Sequence, residues 1–111
     1  VEIAVGGVEV SVDDSEITPI EFALHQNYPN PFNPETNIQF DVAERSHVSV
    51  NIFNLVGQKV ATLVNETMDS GIYTIKWTGL NDRGLALPSG MYFYEMKTSE
   101  YHSIKKLVLV K

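Results

Sequence analysis

The stretch Leu24-His25-Gln26-Asn27-Tyr28-Pro29-Asn30-Pro31-Phe32-Asn33-Pro34 decides the fold of this chain, because it can form neither a helix nor a central strand. Each proline lacks a backbone N–H donor, and the residue before each proline is pushed towards extended geometry. This proline segment, residues 24–34, must therefore lie along a surface or an edge of the fold. We expect its two aromatic side chains, Tyr28 and Phe32, to cover apolar surface from outside.

Composition limits the classes of protein to which the chain can belong. With 111 residues and 43% hydrophobic content, it can form one domain with a core but not two. It has no cysteine, which excludes disulfides and thiolate metal sites. A net charge of -6 argues against nucleic-acid binding, which needs Lys and Arg to neutralise phosphates. No apolar run has the length of about 20 residues that a membrane-spanning helix needs.

An acidic stretch divides the chain. Residues 1–12 alternate apolar and polar side chains in two pieces broken by Gly6-Gly7, which predicts a pair of strands. Asp13-Asp14-Ser15-Glu16 and Pro19 follow and are typical of a linker. We therefore predict an N-terminal strand pair with its linker in residues 1–20 and a main module in residues 21–111. We expect the chain to be a mature form or an excised piece.

The main module shows the period-two alternation of strands that bury one face. The predicted strands span residues 38–42, 48–52, 58–64, 72–77, 91–98 and 104–110. Asn54-Leu55-Val56-Gly57 is predicted to form a hairpin loop, and residues 65–71 a polar turn. Because no segment has a helical period, the sequence predicts an all-β fold of two packed antiparallel sheets.

The sequence contains no pattern typical of a catalytic or ligand-binding site. It has no nucleophile, metalloprotease or phosphate-loop motif, and its histidines, His25, His47 and His102, are scattered. We therefore predict a non-enzyme with no catalytic, cofactor-binding or metal-binding residues. For the loop from Thr78 to Gly84, the question of a bound cation stays open.

Five ordered motifs carry a family resemblance. They are QNYPNPFNP (residues 26–34), VNIFNLVGQKV (50–60), GIYTIKW (71–77), SGMYFY (89–94) and KKLVLVK (105–111). Together they resemble the type A C-terminal sorting domain of the type IX secretion system, over about residues 22–111. The chain is also similar to the immunoglobulin-like module of flagellar hook-capping proteins.

The resemblance implies an immunoglobulin-like sandwich of about seven strands, with an added N-terminal strand or hairpin. It implies secretion across the outer membrane and attachment at the cell surface of a Gram-negative bacterium. The partners would be an outer-membrane translocon and a surface sortase-like protease. The sorting motif would comprise Asn27, Tyr28, Pro29, Asn30, Pro31, Phe32, Asn33 and Pro34, and the translocon-recognition residues would be Lys105, Lys106, Leu107, Val108, Leu109, Val110 and Lys111.

Two alternatives stay open at this stage. The terminal strand can be read by a translocon through strand addition, or it can be an ordinary buried strand whose lysines prevent edge aggregation. The whole chain can also be a structural subunit of an extracellular fibre or coat, which forms a homo-oligomer or filament by N-terminal strand addition. The inter-subunit strand would then present Val1, Ile3, Val5, Val8, Val10 and Val12.

Overall fold

The computed structural model describes residues 19–111, which fold into two antiparallel β-sheets packed face to face. The seven strands are β1 (Ala23–Leu24), β2 (Thr36–Val42), β3 (Ser46–Phe53), β4 (Lys59–Met68), β5 (Gly71–Trp77), β6 (Gly90–Lys97) and β7 (His102–Leu109). The predicted all-β sandwich is confirmed.

The strands divide unequally between the two sheets. The three-stranded sheet has the order β1-β2-β5, and the four-stranded sheet has the order β4-β3-β6-β7. All neighbouring strands are antiparallel. Residues 19–111 contain no helix long and apolar enough to cross a membrane.

The core lies between the sheets and follows the alternation in the sequence. On β6, the side chains of Tyr92, Tyr94 and Met96 are buried, whereas Met91 and Phe93 lie on the opposite face. Strands β2 and β3 alternate in the same way, and each contributes three fully buried apolar side chains. A period of two therefore places every second side chain in the core.

The structure corrects the predicted strands in two places. The polar turn predicted for residues 65–71 is wrong, because β4 continues to Met68 and only residues 69–70 separate it from β5. The polar residues of this stretch belong to an edge strand, where Asn65 pairs with Ser49 and its side chain contacts the His47 ring nitrogen at 2.8 Å. Strand β1 was not predicted, since two residues are too few to show a period.

The hairpin loop and the N-terminal strand pair have different outcomes. Gly57 ends the predicted loop between β3 and β4 with a φ of 87°, a conformation that glycine adopts without steric cost. The predicted strand pair in residues 1–12 lies outside the described residues. The proposed inter-subunit strand and the domain boundary therefore stay predictions.

Two isoleucines of the four-stranded sheet give a matched test of this architecture. Ile52 on β3 is fully buried, and Ile104 on β7 is 56% exposed. We expect Ile52→Ala to lower the free energy of unfolding by about 2–5 kcal/mol, because it removes buried methyl groups and leaves a cavity. Ile104→Ala should change it by less than about 1 kcal/mol. Urea unfolding of both variants checks this, and equal losses would contradict the assignment of the two faces.

Candidate recognition site at the junction of the proline segment and the last strand

The proline segment crosses from one sheet to the other. It begins in β1, where Ala23 and Leu24 pair with β2 of the three-stranded sheet. It then reaches the four-stranded sheet, where Phe32 forms a parallel bridge with Leu109 of β7. The prediction that the segment lies along an edge is confirmed. All three of its X-Pro peptide bonds are cis.

Hydrogen bonds fasten the segment along the outer edge of β7. They run from Gln26 Nε2 to Lys106 O (2.8 Å), from Val108 N to Asn30 Oδ1 (2.9 Å), from Phe32 N to Val108 O (3.0 Å) and from Val110 N to Phe32 O (2.9 Å). The backbone groups that β7 turns outward between residues 106 and 110 are thereby paired. A partner strand could pair with this edge only if residues 30–32 left it.

The two aromatic residues of the segment have opposite environments. Phe32 is 1% exposed and its ring lies 5.7 Å from that of Trp77, which in turn lies 6.1 Å from Tyr92. Tyr28 is 79% exposed. The expectation that both rings cover the core from outside is therefore wrong. Phe32 is a core residue because it lies beside the buried Leu109, whereas Tyr28 points into solvent.

A buried tyrosine holds the start of the segment in place. Tyr94 is fully buried, its hydroxyl donates to His25 O at 2.7 Å, and it accepts from Asn27 N at 2.8 Å. Burial raises the pKa of Tyr94 to about 12, and the hydrogen bond from Asn27 N opposes this rise. The hydroxyl thus satisfies two backbone groups of the segment, between the backbone bonds that His25 N and Tyr28 N donate to β2.

Asn27 is the second anchor, and its side chain is 2% exposed. Its Nδ2 donates to Thr36 Oγ1 at 3.0 Å and to Pro29 O at 3.1 Å. Its Oδ1 accepts from Gln26 Nε2 at 2.6 Å. The Thr36 hydroxyl also donates to Pro29 O at 2.7 Å, so the amide and hydroxyl close a polar network beneath the segment.

Each of the two predicted recognition stretches is divided between core and surface. In the sorting motif, Asn27 and Phe32 are buried and the six other residues are exposed. In the terminal stretch, Leu107 and Leu109 are buried, Lys105 and Val108 are half-buried, and Lys106, Val110 and Lys111 are exposed. The fold brings the two stretches together, so their exposed side chains form one composite surface.

Sequence reasoning missed two contacts of this site. The alternation put Tyr94 on the same face of a strand as Tyr92 and Met96, but gave no partner for its hydroxyl. A buried tyrosine hydroxyl needs a hydrogen-bond partner, and this requirement was the signal for an anchor at Tyr94. Sequence reasoning also missed Ser89, whose Oγ accepts from Lys111 N at 3.0 Å. That second contact had no local signal, since 22 residues separate the pair.

In the loop from Thr78 to Gly84, the Asn81 and Asp82 side chains accept hydrogen bonds from backbone N–H groups of the loop region and of β4. Asn81 Oδ1 accepts from Arg83 N at 2.9 Å and from Leu85 N at 3.0 Å, and Asp82 Oδ1 accepts from Thr62 N at 2.8 Å. In the described part of the chain, no group of three His, Asp or Glu side chains is placed to hold a metal ion.

Asn27 and Asn33 give a matched pair of substitutions in the sorting motif. We expect Asn27→Ala to lower the free energy of unfolding by about 1–3 kcal/mol, because it removes the buried hydrogen bonds of the amide to Thr36 Oγ1 and Pro29 O. Asn33 is exposed, and Asn33→Ala should change stability by less than about 0.5 kcal/mol. Chemical denaturation measures both. A neutral Asn27→Ala would show that the polar network does not hold the segment.

Tyr94 predicts a pH dependence at the alkaline end. Its pKa is about 12 in the folded protein and about 10 when unfolded, so the unfolded chain loses the proton first as pH rises. The stability contributed by the neutral phenol is fully present below pH 10 and is lost as pH rises towards 12, by about 1.4 kcal/mol per pH unit. We expect Tyr94→Phe to be less stable at neutral pH but to show a shallower decline in this range. Parallel slopes in urea titrations of the two proteins would refute this assignment.

Comparison with solved structures places this architecture among known folds. The chain is similar to latent PorU from Porphyromonas gingivalis, with a TM-score of 0.64 and 20% identity over 86% of this chain and 10% of that one. FLGD from P. aeruginosa gives a TM-score of 0.52 and 23% identity, covering 67% of this chain and 58% of that one.

PorZ, a surface component of the type IX secretion system of P. gingivalis, gives a TM-score of 0.52 and 18% identity over 81% of this chain and 11% of that one. The chain thus spans about 10% of the PorU chain that it resembles. No curated protein matches its sequence. The model of the family described as the secretion system C-terminal sorting domain matches residues 26–111, a range that includes both recognition stretches, and the chain belongs to this family.

Proposed function

We propose that the type IX secretion machinery recognises this sorting domain at the composite surface where the proline segment meets β7. The domain is a sorting signal that directs the protein carrying it across the outer membrane to the cell surface of a Gram-negative bacterium. Its exposed side chains at the composite surface include Tyr28, Pro31, Lys106, Val110 and Lys111.

The pairing of the two stretches is the observation that carries the proposal. Phe32 N donates to Val108 O, 76 positions away in the sequence, Phe32 O accepts from Val110 N, and Asn30 adds a side-chain bond to the same strand. The two stretches therefore present their exposed side chains in a fixed arrangement relative to each other. A receptor that reads both would distinguish the folded domain from an unfolded chain with the same terminal residues.

The pairing also favours a mode of recognition. Strand addition needs free backbone N–H and C=O groups, and those on the outer edge of β7 between residues 106 and 110 are engaged. We therefore infer that the machinery reads exposed side chains rather than the backbone of the last strand. Lys106 and Lys111 supply positive charge, and Val110, which is 44% exposed, supplies an apolar contact between them.

In this proposal the domain is a ligand and not an enzyme. An outer-membrane translocon binds it during export, and a surface sortase-like protease acts on the exported protein. The domain contributes a stable, shaped surface to both encounters.

Substitution at the end of the last strand tests the proposal. We expect Val110→Asp combined with Lys111→Glu to reduce secretion of a reporter fused to this domain by about tenfold or more, since a buried hot-spot contact is worth about 1.4 kcal/mol or more. The measurement compares reporter in the medium and periplasm of a bacterium with a type IX system. In these two residues, only the Val110 backbone and the Lys111 N–H make hydrogen bonds. The substitutions leave these backbone groups in place, so the double variant should fold.

The control makes the same chemical change on the other sheet. Ile72 and Lys76 on β5 are likewise an exposed apolar residue and an exposed lysine. Ile72→Asp with Lys76→Glu should leave secretion unchanged. If both double variants are secreted normally while folded, the composite surface is not what the machinery reads.

A further inference from the structure

A second exposed surface lies on the outer face of the four-stranded sheet and adjoins the composite surface at Lys106. One row of this face crosses all four strands: Lys59 of β4 lies opposite Phe53 of β3, Phe53 opposite Phe93 of β6, and Phe93 opposite Lys106 of β7. Directly opposed residues of antiparallel strands place their side chains on the same face. The result is an aromatic centre with a lysine at each end.

The aromatic centre is the floor of a groove. Phe53 and Phe93 are half-buried, and the groove has a volume of about 380 Å³. Leu55 of the hairpin loop and Ile104 of β7 form its walls, and they are 64% and 56% exposed. The groove is open to solvent along the sheet.

The core does not account for these apolar side chains. The outer face of an antiparallel sheet is usually polar, and the other outer residues of β3, such as Ser49 and Asn51, follow that pattern. A contiguous apolar patch with a charged rim is typical of a binding surface. Leu55 and Val56, the latter 78% exposed, stand at the tip of the adjacent loop without packing on the core.

The charges around the groove select an acidic partner. One carboxylate lines the groove itself, that of Glu95 in the neighbouring row, and it is engaged by the ring of His102. Lys59 and Lys106 take part in no ion pair within residues 19–111. The row therefore presents two cations and no free carboxylate, which complements a ligand with an apolar middle and acidic ends.

The spacing of the row fits a short peptide. Three strand-to-strand steps of about 4.8 Å separate the backbones of Lys59 and Lys106, which gives about 14 Å. Two residues four positions apart in an extended chain lie about 13 Å apart and point to the same face, as does the residue midway between them. Acids at these two positions would thus meet both lysines while an apolar side chain midway between them fills the groove.

We propose that this groove binds an extended segment of a partner protein in which an apolar residue has a carboxylate two positions away on each side. The Phe53 and Phe93 rings hold the apolar side chain, and Lys59 and Lys106 hold the acids. The surface shares Lys106 with the composite surface, but the proposal does not depend on the sorting function.

A pair of peptides tests the proposal on the full chain of 111 residues. Acetyl-Asp-Ser-Phe-Ser-Asp-amide is the probe and acetyl-Lys-Ser-Phe-Ser-Lys-amide its charge-reversed counterpart, each titrated into ¹⁵N-labelled protein and followed by NMR. We expect the largest shifts at Phe53, Phe93 and Lys106, and roughly fivefold tighter binding of the acidic peptide, the size expected of two exposed ion pairs. Added salt should reduce this preference.

Matched variants locate the charge effect. Lys59→Glu with Lys106→Glu should reverse the preference between the two peptides, whereas Lys76→Glu with Arg83→Glu, an equal change in net charge elsewhere, should preserve it. Both double variants alter exposed side chains, so the fold should persist.

Three outcomes would overturn the proposal. Equal binding of both peptides, or no localised shift at millimolar concentration, would remove the charge complementarity. An alginate oligosaccharide that binds this row as tightly as the acidic peptide would assign the groove to acidic glycans. Concentration-dependent dimerisation in sedimentation equilibrium that the Lys59→Glu, Lys106→Glu variant abolishes would assign it to a second copy of the chain.

Discussion

Backbone pairing between the proline segment and β7 is the constraint on which the rest of the domain depends. An edge strand with open N–H and C=O groups invites pairing with other chains. Here Phe32 and Asn30 take up those groups over the last part of β7. The same pairing turns the Phe32 ring towards Trp77 and closes one side of the sandwich. One set of contacts thus protects the edge, completes the core and arranges the recognition surface.

The strands themselves were predictable because burial and side-chain direction share one period. Alternation predicts that Tyr92, Tyr94 and Met96 share one face of β6, and the structure shows that this face is the buried one. This signal fails where a strand is too short, as in β1, or where it extends past the core, as at the polar end of β4. In both places the structure depends on backbone pairing with a neighbouring strand. The alternation of apolar and polar residues within one strand does not reveal such pairing.

The junction could be predicted only in part. Prolines showed that residues 24–34 lie on an edge, but not which edge. The decisive partners are distant: Tyr94 lies 67 positions from Asn27, and Val108 lies 78 positions from Asn30. Asparagine side chains supply hydrogen bonds that a proline-rich backbone lacks, and an Asn-Pro pair in sequence is also typical of an ordinary turn. Only the fold shows that Asn27 is buried while Asn30 and Asn33 of the same segment are exposed.

Because each predicted recognition stretch is divided between core and surface, residues that stabilise the domain are neighbours of the residues that we propose to be read by the secretion machinery. Removal of the terminal residues would take away Leu107 and Leu109 from the core, together with the exposed Lys106 and Lys111. Loss of export after such a truncation would therefore not distinguish an unfolded domain from an unread signal. Alternation resolves this ambiguity: since every second side chain of β7 points outward, substitutions confined to those positions change the surface and leave the core and the backbone pairing in place.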